Sequence, residues 1–98
     1  MSKYLVLWEV DTNRAQINAK ERGAAWLGML AMIKQDMKDG KVNDWGSFVG
    51  ETKGYSIMTG EHVEMAKNLQ RYYPFITFKV HEVASVNEVT EVAKSLTG

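Results

Sequence analysis

Cysteine is absent from this sequence of 98 residues. Its absence excludes disulfide bonds, thiolate nucleophiles, and zinc or iron–sulfur centres held by cysteine. An excess of either charge is also missing, because 12 basic residues balance 12 acidic ones. A neutral chain gives no electrostatic reason to expect nucleic acid or an anionic membrane as a partner.

Long apolar runs are missing as well. None reaches the roughly 20 residues that a membrane-spanning helix requires. The first residues, MSKYLVLWEVD, lack the long apolar stretch and the small-residue cleavage site of a signal peptide. We therefore expect a cytoplasmic protein that has no membrane partner.

Length and composition predict a single domain that spans residues 1–98. Hydrophobic residues make up 45% of the chain and charged residues 24%, which is ordinary for globular proteins. A domain of this size buries only roughly 60–70% of the surface that its unfolded chain exposes. A partner subunit would therefore add useful stability.

Hydrophobic periodicity predicts four strands and three helices. The first helix has Asn18 and Glu21 as a capping box and ends at Gly40, where glycine accepts a left-handed conformation. Ser85 and Glu88 form a second capping box, which starts a short C-terminal helix. The predicted strands cover residues 3–10, 44–50, 55–59 and 75–83, and the two longer helices cover residues 19–39 and 61–73.

The order β-α-β-β-α-β with an added helix is that of the ferredoxin-like, or split βαβ, fold. Its two crossovers place both longer helices on one face of a four-stranded antiparallel sheet. Gly23 and Gly28 lie inside the first of these helices, and we interpret them as positions of close packing against the sheet. The predicted fold class is therefore α+β, with one sheet face covered and the other open.

The alternation of the first and fourth strands, which are antiparallel neighbours in this fold, predicts which residues lie on each face. Ile76, Phe78 and Val80 are apolar and should match Leu5 and Leu7 under the helices. Two helices cannot cover the opposite face, and a large apolar patch is rarely left in water. We therefore predict a twofold homodimer that pairs through this open face. Its predicted residues are Tyr4, Val6, Trp8 and Val10 on the first strand and Phe75, Thr77, Lys79, His81 and Val83 on the fourth.

The stretch NDWGSFVGETKGYSIMTG, residues 43–60, contains four glycines and a lysine. A phosphate-binding loop of the Walker type requires G-x-x-x-x-G-K-[ST] between a strand and a helix. Here Gly54 follows Lys53 and both flanks are predicted strands, so this interpretation fails. The stretch instead predicts a β-hairpin that turns at Gly54 with a positive φ angle. The pattern leaves open which face Trp45, Ser47 and Tyr55 occupy.

His81 is the candidate for a catalytic residue, as a general base on the open face. The alternative is a hydrogen-bonded histidine within the dimer interface. A dyad with Glu9 is excluded, because antiparallel pairing places His81 near Tyr4 or Val6 and leaves Glu9 at the far end, on the opposite face. His62 lies in the first turn of the second helix and is interpreted as a surface or capping residue.

No metal or cofactor site is predicted. Two histidines with scattered carboxylates do not form a zinc constellation, and the dinucleotide motif G-x-G-x-x-G is absent. The tryptophans and most methionines fall at positions that favour packing in the core or the dimer interface. Tyr72 and Tyr73 close the second helix and are placed to rim an opening.

Three functional hypotheses follow from the open face. The first is binding or sensing of a small molecule with an apolar body and a polar or anionic end, because polar groups among aromatic ones are typical of ligand pockets. The second is a pure dimerisation or interaction module. The third is an enzyme, with His81 as base and Lys79 or Tyr4 stabilising an anionic intermediate. The predicted ligand-binding residues are Tyr4, Trp8, Thr77, Lys79 and His81.

Three segments, YLVLWEVD, DWGSFVGETKGYSIMTG and FKVHEVASVNEV, together resemble a family of small uncharacterised prokaryotic proteins in the dimeric α+β barrel superfamily. The resemblance covers nearly the whole chain, and the matching features are structural: a strand, hairpin glycines and a strand-to-helix cap. It implies a ferredoxin-like protomer that pairs sheet to sheet. It implies no activity, because the family has none assigned. The wider superfamily contains cofactor-free monooxygenases and isomerases, which are the classes expected for the third, enzymatic hypothesis.

Overall fold

The chain forms four strands and three helices within residues 2–12 and 18–98, which are the residues that the computed structural model describes. Residues 13–17, part of the predicted connection between the first strand and the first helix, lie outside the described residues. The strands are β1 (Ser2–Val10), β2 (Asp44–Ser47), β3 (Lys53–Gly60) and β4 (Ile76–Val83), and the helices are α1 (Ala19–Lys38), α2 (His62–Gln70) and α3 (Val86–Ser95).

The four strands form one antiparallel sheet in the order β2-β3-β1-β4. This α+β arrangement is compatible with the predicted ferredoxin-like fold. Helices α1 and α2 lie on one face of the sheet, where they contribute Ile33, Met65 and Leu69 to packing around the sheet residues. The core cluster consists of Tyr4, Val6, Val42 and Met58.

Asn18 and Ser85 cap α1 and α3 as predicted, but only at α3 are both bonds of a capping box present among the described residues. The side chain of Asn18 accepts hydrogen bonds from the backbone N–H groups of Lys20 and Glu21. Gly40 follows α1 with a φ angle of +79°, which confirms the predicted left-handed stop. At α3, the Ser85 hydroxyl accepts a bond from the Glu88 N–H, and the Glu88 carboxylate accepts one from the Ser85 N–H, so the second capping box is confirmed.

The hairpin between β2 and β3 is confirmed, but its turn does not lie at Gly54. The Glu51 N–H donates to the Phe48 carbonyl at 3.0 Å, and Gly50 has a φ angle of +80°. This is the position at which a type II turn requires glycine. Gly54 instead lies inside β3, where the indole ring of Trp8 passes directly over its backbone. Glycine is needed there for space and not for a turn.

The predicted faces of β1 are reversed in the structure. Tyr4 and Trp8 are buried on the helix side, at 8% and 3% exposure, whereas Leu5 and Leu7 lie on the open side. The reason is the pairing register with β4, in which Trp8 lies opposite Phe78. A shift of one residue in register moves every side chain to the other face. On β4, Ile76, Phe78 and Val80 share the helix side as predicted, although Val80 is 40% exposed and therefore not covered by the helices.

Two further interpretations change with the structure. A Cβ atom built on either Gly23 or Gly28 would meet nothing within 4 Å, so neither glycine marks close packing against the sheet. Helix α2 ends at Gln70, three residues before the predicted end, and the peptide bond between Tyr73 and Pro74 is cis.

Within the described residues, no helix has the length and apolar character needed to cross a membrane.

Candidate functional site

The five residues predicted to bind a ligand do not share one face of the sheet. Thr77, Lys79 and His81 are exposed on the open face, as predicted, while Tyr4 and Trp8 lie in the core on the other side. The predicted cleft of aromatic and polar residues on the open face is therefore wrong as a single site. A ligand-binding role for Thr77, Lys79 and His81 stays a prediction.

The relation between His81 and Glu9 also differs from the prediction. His81 lies opposite Leu5, and Glu9 lies opposite Thr77, so both side chains belong to the open face. Four residues along the strand still separate the two pairing positions, which corresponds to roughly 13 Å. They are out of hydrogen-bond reach because of this separation and not because of the face they occupy.

The open face has an apolar centre with a charged border. Leu5, Leu7, Tyr55, Ile57 and Val83 are half-buried although neither α1 nor α2 covers them. Neighbouring strand positions on the same face carry charged or polar side chains, namely Lys3, Glu9, Lys53, Thr77, Lys79 and His81.

Tyr55 lies flat within this open face. Its hydroxyl donates to the Asp44 carboxylate at 2.8 Å, and its ring stacks on Phe48 with 6.4 Å between the ring centroids. A Cβ atom at Gly46 would lie 2.4 Å from Cε1 of the Tyr55 ring, so glycine there leaves the space that the ring occupies. The hydrogen bond to Asp44 raises the pKa of the Tyr55 phenol above its usual value.

The tryptophans gather on the helix side. The Trp8 and Trp45 rings stack with centroids 5.2 Å apart and planes 5° apart, and Trp26 meets Trp8 edge-on at 6.0 Å. Trp45 pairs with Ser56 and therefore shares this face, as does Ser47, two residues further along β2. Trp45 and Ser47 therefore lie on the helix side of the sheet and Tyr55 on the open side, which the sequence pattern alone does not decide.

The cavity with the strongest apolar character lies on the helix side, between α1 and the segment that joins α2 to β4. Its volume is about 370 Å³. We call it the α1 cleft. Its apolar walls come from Val10, Ala25, Trp26, Met29, Met32, Phe75 and Ile76, and its polar lining comes from Asp11, Arg22, Arg71 and Tyr72.

A buried carboxylate lies beneath one end of the α1 cleft. Asp36 on α1 is 1% exposed and accepts hydrogen bonds from three side chains near the end of α2. Arg71 Nη1 donates at 2.8 Å, the Tyr72 hydroxyl at 2.9 Å and Asn68 Nδ2 at 3.3 Å. Arg71 Nη1 also donates to Asn68 Oδ1. These bonds fix the positions of Arg71 and Tyr72, which both line the cleft.

The electrostatics of this cluster follow from burial and pairing. Burial by itself raises the pKa of the Asp36 carboxyl, but the hydrogen bonds and the positive charge of Arg71 outweigh it, so the pKa lies below its usual value. Burial and the hydrogen bond to Asp36 raise the pKa of the Tyr72 phenol far above its usual value. At neutral pH the cluster therefore holds an ionised Asp36, a charged Arg71 and a neutral Tyr72.

Arg71 separates the α1 cleft from a second cavity of about 240 Å³ between β3 and α2. That second cavity has charged lining of both signs, from Lys41, Lys67, Glu61 and Glu64. Among the described residues, no group of three or more histidine or acidic side chains is placed to hold a metal ion. The more apolar α1 cleft is therefore the better candidate for an organic ligand.

The sequence pattern indicates only part of the α1 cleft. Tyr72 was predicted to rim an opening and does line the cleft, whereas Phe75, predicted for the open face, precedes β4 and lines the cleft instead. Trp26 and Met29 were interpreted as packing residues. Asp36 continues the helical spacing of Met29 and Ile33 and therefore places a carboxylate within an apolar stripe. A buried carboxylate requires a partner, so Asp36 is a signal of this site in the sequence.

No protein-family model matches the chain, and no curated protein matches it significantly. The family resemblance noted in the sequence therefore stays a prediction.

Proposed function

We propose that the protein binds a small molecule in the α1 cleft. The observation that carries this proposal is a largely apolar cavity of about 370 Å³ in which the buried carboxylate of Asp36 holds Arg71 and Tyr72 in place. Ligand pockets in proteins typically measure roughly 300–1,000 Å³ and combine apolar walls with a few fixed polar groups. The cleft meets both criteria.

The lining defines the class of ligand. Trp26, Met29 and Met32 offer an aromatic ring and flexible thioethers, which adapt to a flat apolar molecule. Arg71 Nη1 donates to Asp36 and Asn68, and Arg71 makes no other side-chain hydrogen bond within the described residues. Its side chain is 39% exposed. Its remaining N–H groups can donate to a carboxylate or a similar acceptor. The expected ligand has an apolar body and one anionic end.

The proposal includes a cytoplasmic homodimer that pairs through the open face, and the family resemblance implies this sheet-to-sheet pairing. It is supported by the apolar centre around Leu5, Leu7 and Ile57, which the helices leave uncovered. The alternative of an enzyme that uses His81 as a base has less support. His81 is exposed on the open face, and the three cavities described for the chain all lie on the helix side.

The test of the ligand site is a fluorescence titration with 8-anilinonaphthalene-1-sulfonate, an aromatic probe with an anionic end. Gly28 lines the cleft and has open space where its side chain would begin, so Gly28→Leu fills the cleft without a clash. Gly23→Leu adds the same side chain to the same helix outside the cleft lining. We expect at least about tenfold weaker binding for Gly28→Leu, and unchanged binding for Gly23→Leu.

A second pair of variants separates the two sheet faces. Lys79→Ala and His81→Ala remove predicted ligand contacts on the open face without touching the cleft. We expect both variants to bind the probe as the unaltered protein does. If they lose affinity while Gly28→Leu keeps it, the ligand site lies on the open face and the α1 cleft is not the site.

A further inference from the structure

Helix α3 carries an apolar stripe that no other described residue of its own chain covers. Val86, Val89, Val92 and Leu96 recur at helical spacing and are between 53% and 83% exposed, and no residue of α3 is buried. Isolated helices shorter than about 12–15 residues are marginal in water. Because α3 has only 10 residues, its apolar stripe needs a surface to pack against.

The described part of the chain (residues 2–12 and 18–98) does not offer this surface to its own α3. The molecule extends 61 Å along its long axis but only 26 and 20 Å across, with a radius of gyration of 16.4 Å. A compact domain of this length would have a radius of gyration of roughly 13 Å. Helix α3 follows the end of β4 at Val83 and does not fold back onto the sheet.

A second exposed apolar surface lies at the opposite end of the same sheet. The turn between β2 and β3 presents Val49, which is fully exposed, and Phe48, whose ring stacks on Tyr55 at the open face. This turn adjoins Val10 at the end of β1, because the Val10 N–H donates to the Thr52 carbonyl. Val83, after which α3 begins, lies beside Lys3 at the start of β1. We call it the hairpin tip. It cannot reach α3 of its own chain, because the length of the sheet separates them.

We propose that the apolar stripe of α3 packs on the hairpin tip of a second copy of the chain. This arrangement rests on the homodimer proposed above and adds its orientation. The hairpin tip and α3 lie at diagonally opposite corners of the sheet, because β2 and β4 are its two edge strands. When two open faces pair about a twofold axis that lies between them and oblique to the strands, the α3 corner of one sheet meets the hairpin corner of the other. Each dimer then contains two identical α3-to-hairpin contacts.

The area required for a stable dimer supports this arrangement. A face of four strands, eight residues long, covers at most roughly 500 Å², so two paired faces bury only roughly 1,000 Å². Stable interfaces usually bury about 1,200–2,000 Å². A ten-residue helix is about 15 Å long and 10 Å wide, so two exchanged helices add roughly 600 Å² and bring the total into that range.

The first test compares two doubly substituted variants of the full chain by sedimentation equilibrium. Val89→Lys with Val92→Lys places two charges in the stripe, whereas Asn87→Lys with Ser95→Lys places the same charges on another side of α3. We expect the stripe variant to weaken dimerisation at least about tenfold and the control variant to leave it unchanged. Equal dimerisation in both variants overturns the role of α3 while leaving the dimer itself intact.

The second test locates the contact by disulfide formation. The chain contains no cysteine, so only the introduced cysteines can form a disulfide. Chains with Val89→Cys and chains with Val49→Cys are mixed and oxidised. We expect a mixed disulfide between the two variants in preference to either symmetric product. If disulfides between two Val89→Cys chains predominate, the proposed orientation is wrong. If the unaltered protein is monomeric, both the dimer and the α3 contact are wrong. Neither result affects the ligand titration, which concerns the α1 cleft.

Discussion

The carboxylate of Asp36 on α1 accepts a hydrogen bond of 2.8 Å from the guanidinium of Arg71, just beyond the end of α2. This ion pair joins the two helices that cover the sheet and forms the polar end of the α1 cleft. Asp36 is fully partnered and almost wholly buried, while Arg71 reaches the surface. The pair therefore connects helix packing to the geometry of the proposed ligand site.

Asp36→Asn should destabilise the fold. The substitution removes the charge that balances Arg71 and weakens the acceptor shared by three donors, which should lower the free energy of unfolding by about 2 kcal/mol. Asp39→Asn is the matched control, because Asp39 is an exposed carboxylate at the end of the same helix. Urea unfolding measures both variants, and an equal loss in the two would contradict a special role for Asp36.

The same carboxylate should make stability depend on pH in the acidic range. Its pKa is lower in the folded protein than the usual 3.8, so the unfolded chain takes up the proton first as the pH falls. The stabilisation is fully present above the usual value and is lost as the pH falls through the folded value. The stability difference between the unaltered protein and Asp36→Asn should therefore stay constant from about pH 7 to about pH 5 and shrink as the pH falls below about 4. A constant difference would show that Asp36 does not titrate as described.

Strand and helix positions could be predicted from the sequence because each has a local signal. The caps at Asn18 and Ser85 and the stop at Gly40 depend only on nearby residues, and all three are present. The faces of β1 could not be predicted in this way. Leu5 and Leu7 are as apolar as Val6 and Trp8, so alternation alone does not show which set is buried.

The missing information was the register between neighbouring strands. Trp8 needs Gly54 beside it, because a larger residue would collide with the indole ring, and this pairing fixes β1 against β3. The α1 cleft was harder still to predict, since it depends on contacts between α1 and the segment after α2, which are distant in sequence. Its sequence signals are Tyr72, predicted to rim an opening, and the carboxylate of Asp36 within an apolar stripe.

Gly54→Ala should be more destabilising than Gly46→Ala. A Cβ atom at Gly54 would lie 2.5 Å from Cζ2 of Trp8 and 2.1 Å from the Gly46 carbonyl oxygen, so both a buried ring and the backbone would have to move. Overpacking of this kind typically costs about 1–3 kcal/mol. At Gly46 the new atom meets the ring of Tyr55, which is only half-buried and can shift.

Thermal unfolding compares the two alanine variants, and tryptophan circular dichroism in the near ultraviolet reports on the stacked pair of Trp8 and Trp45. We expect Gly54→Ala to lower the melting temperature and weaken the tryptophan signal. Gly46→Ala should change neither by a comparable amount. The opposite order of stabilities would mean that Trp8 does not rest on Gly54 as the structure shows.

Charges placed at adjacent positions of β1 should have different consequences. Trp8 is only 3% exposed and lies on the side of the sheet that the helices cover. Trp8→Glu therefore buries a charge and should unfold the chain. Leu7 lies on the open face, so Leu7→Glu should leave a folded protein and lower its molecular mass from dimer to monomer. Leu27→Glu controls for the chemical change, because Leu27 is 70% exposed on α1. Circular dichroism and light scattering measure folding and mass, and a Leu7→Glu variant that stays dimeric would refute pairing through the open face.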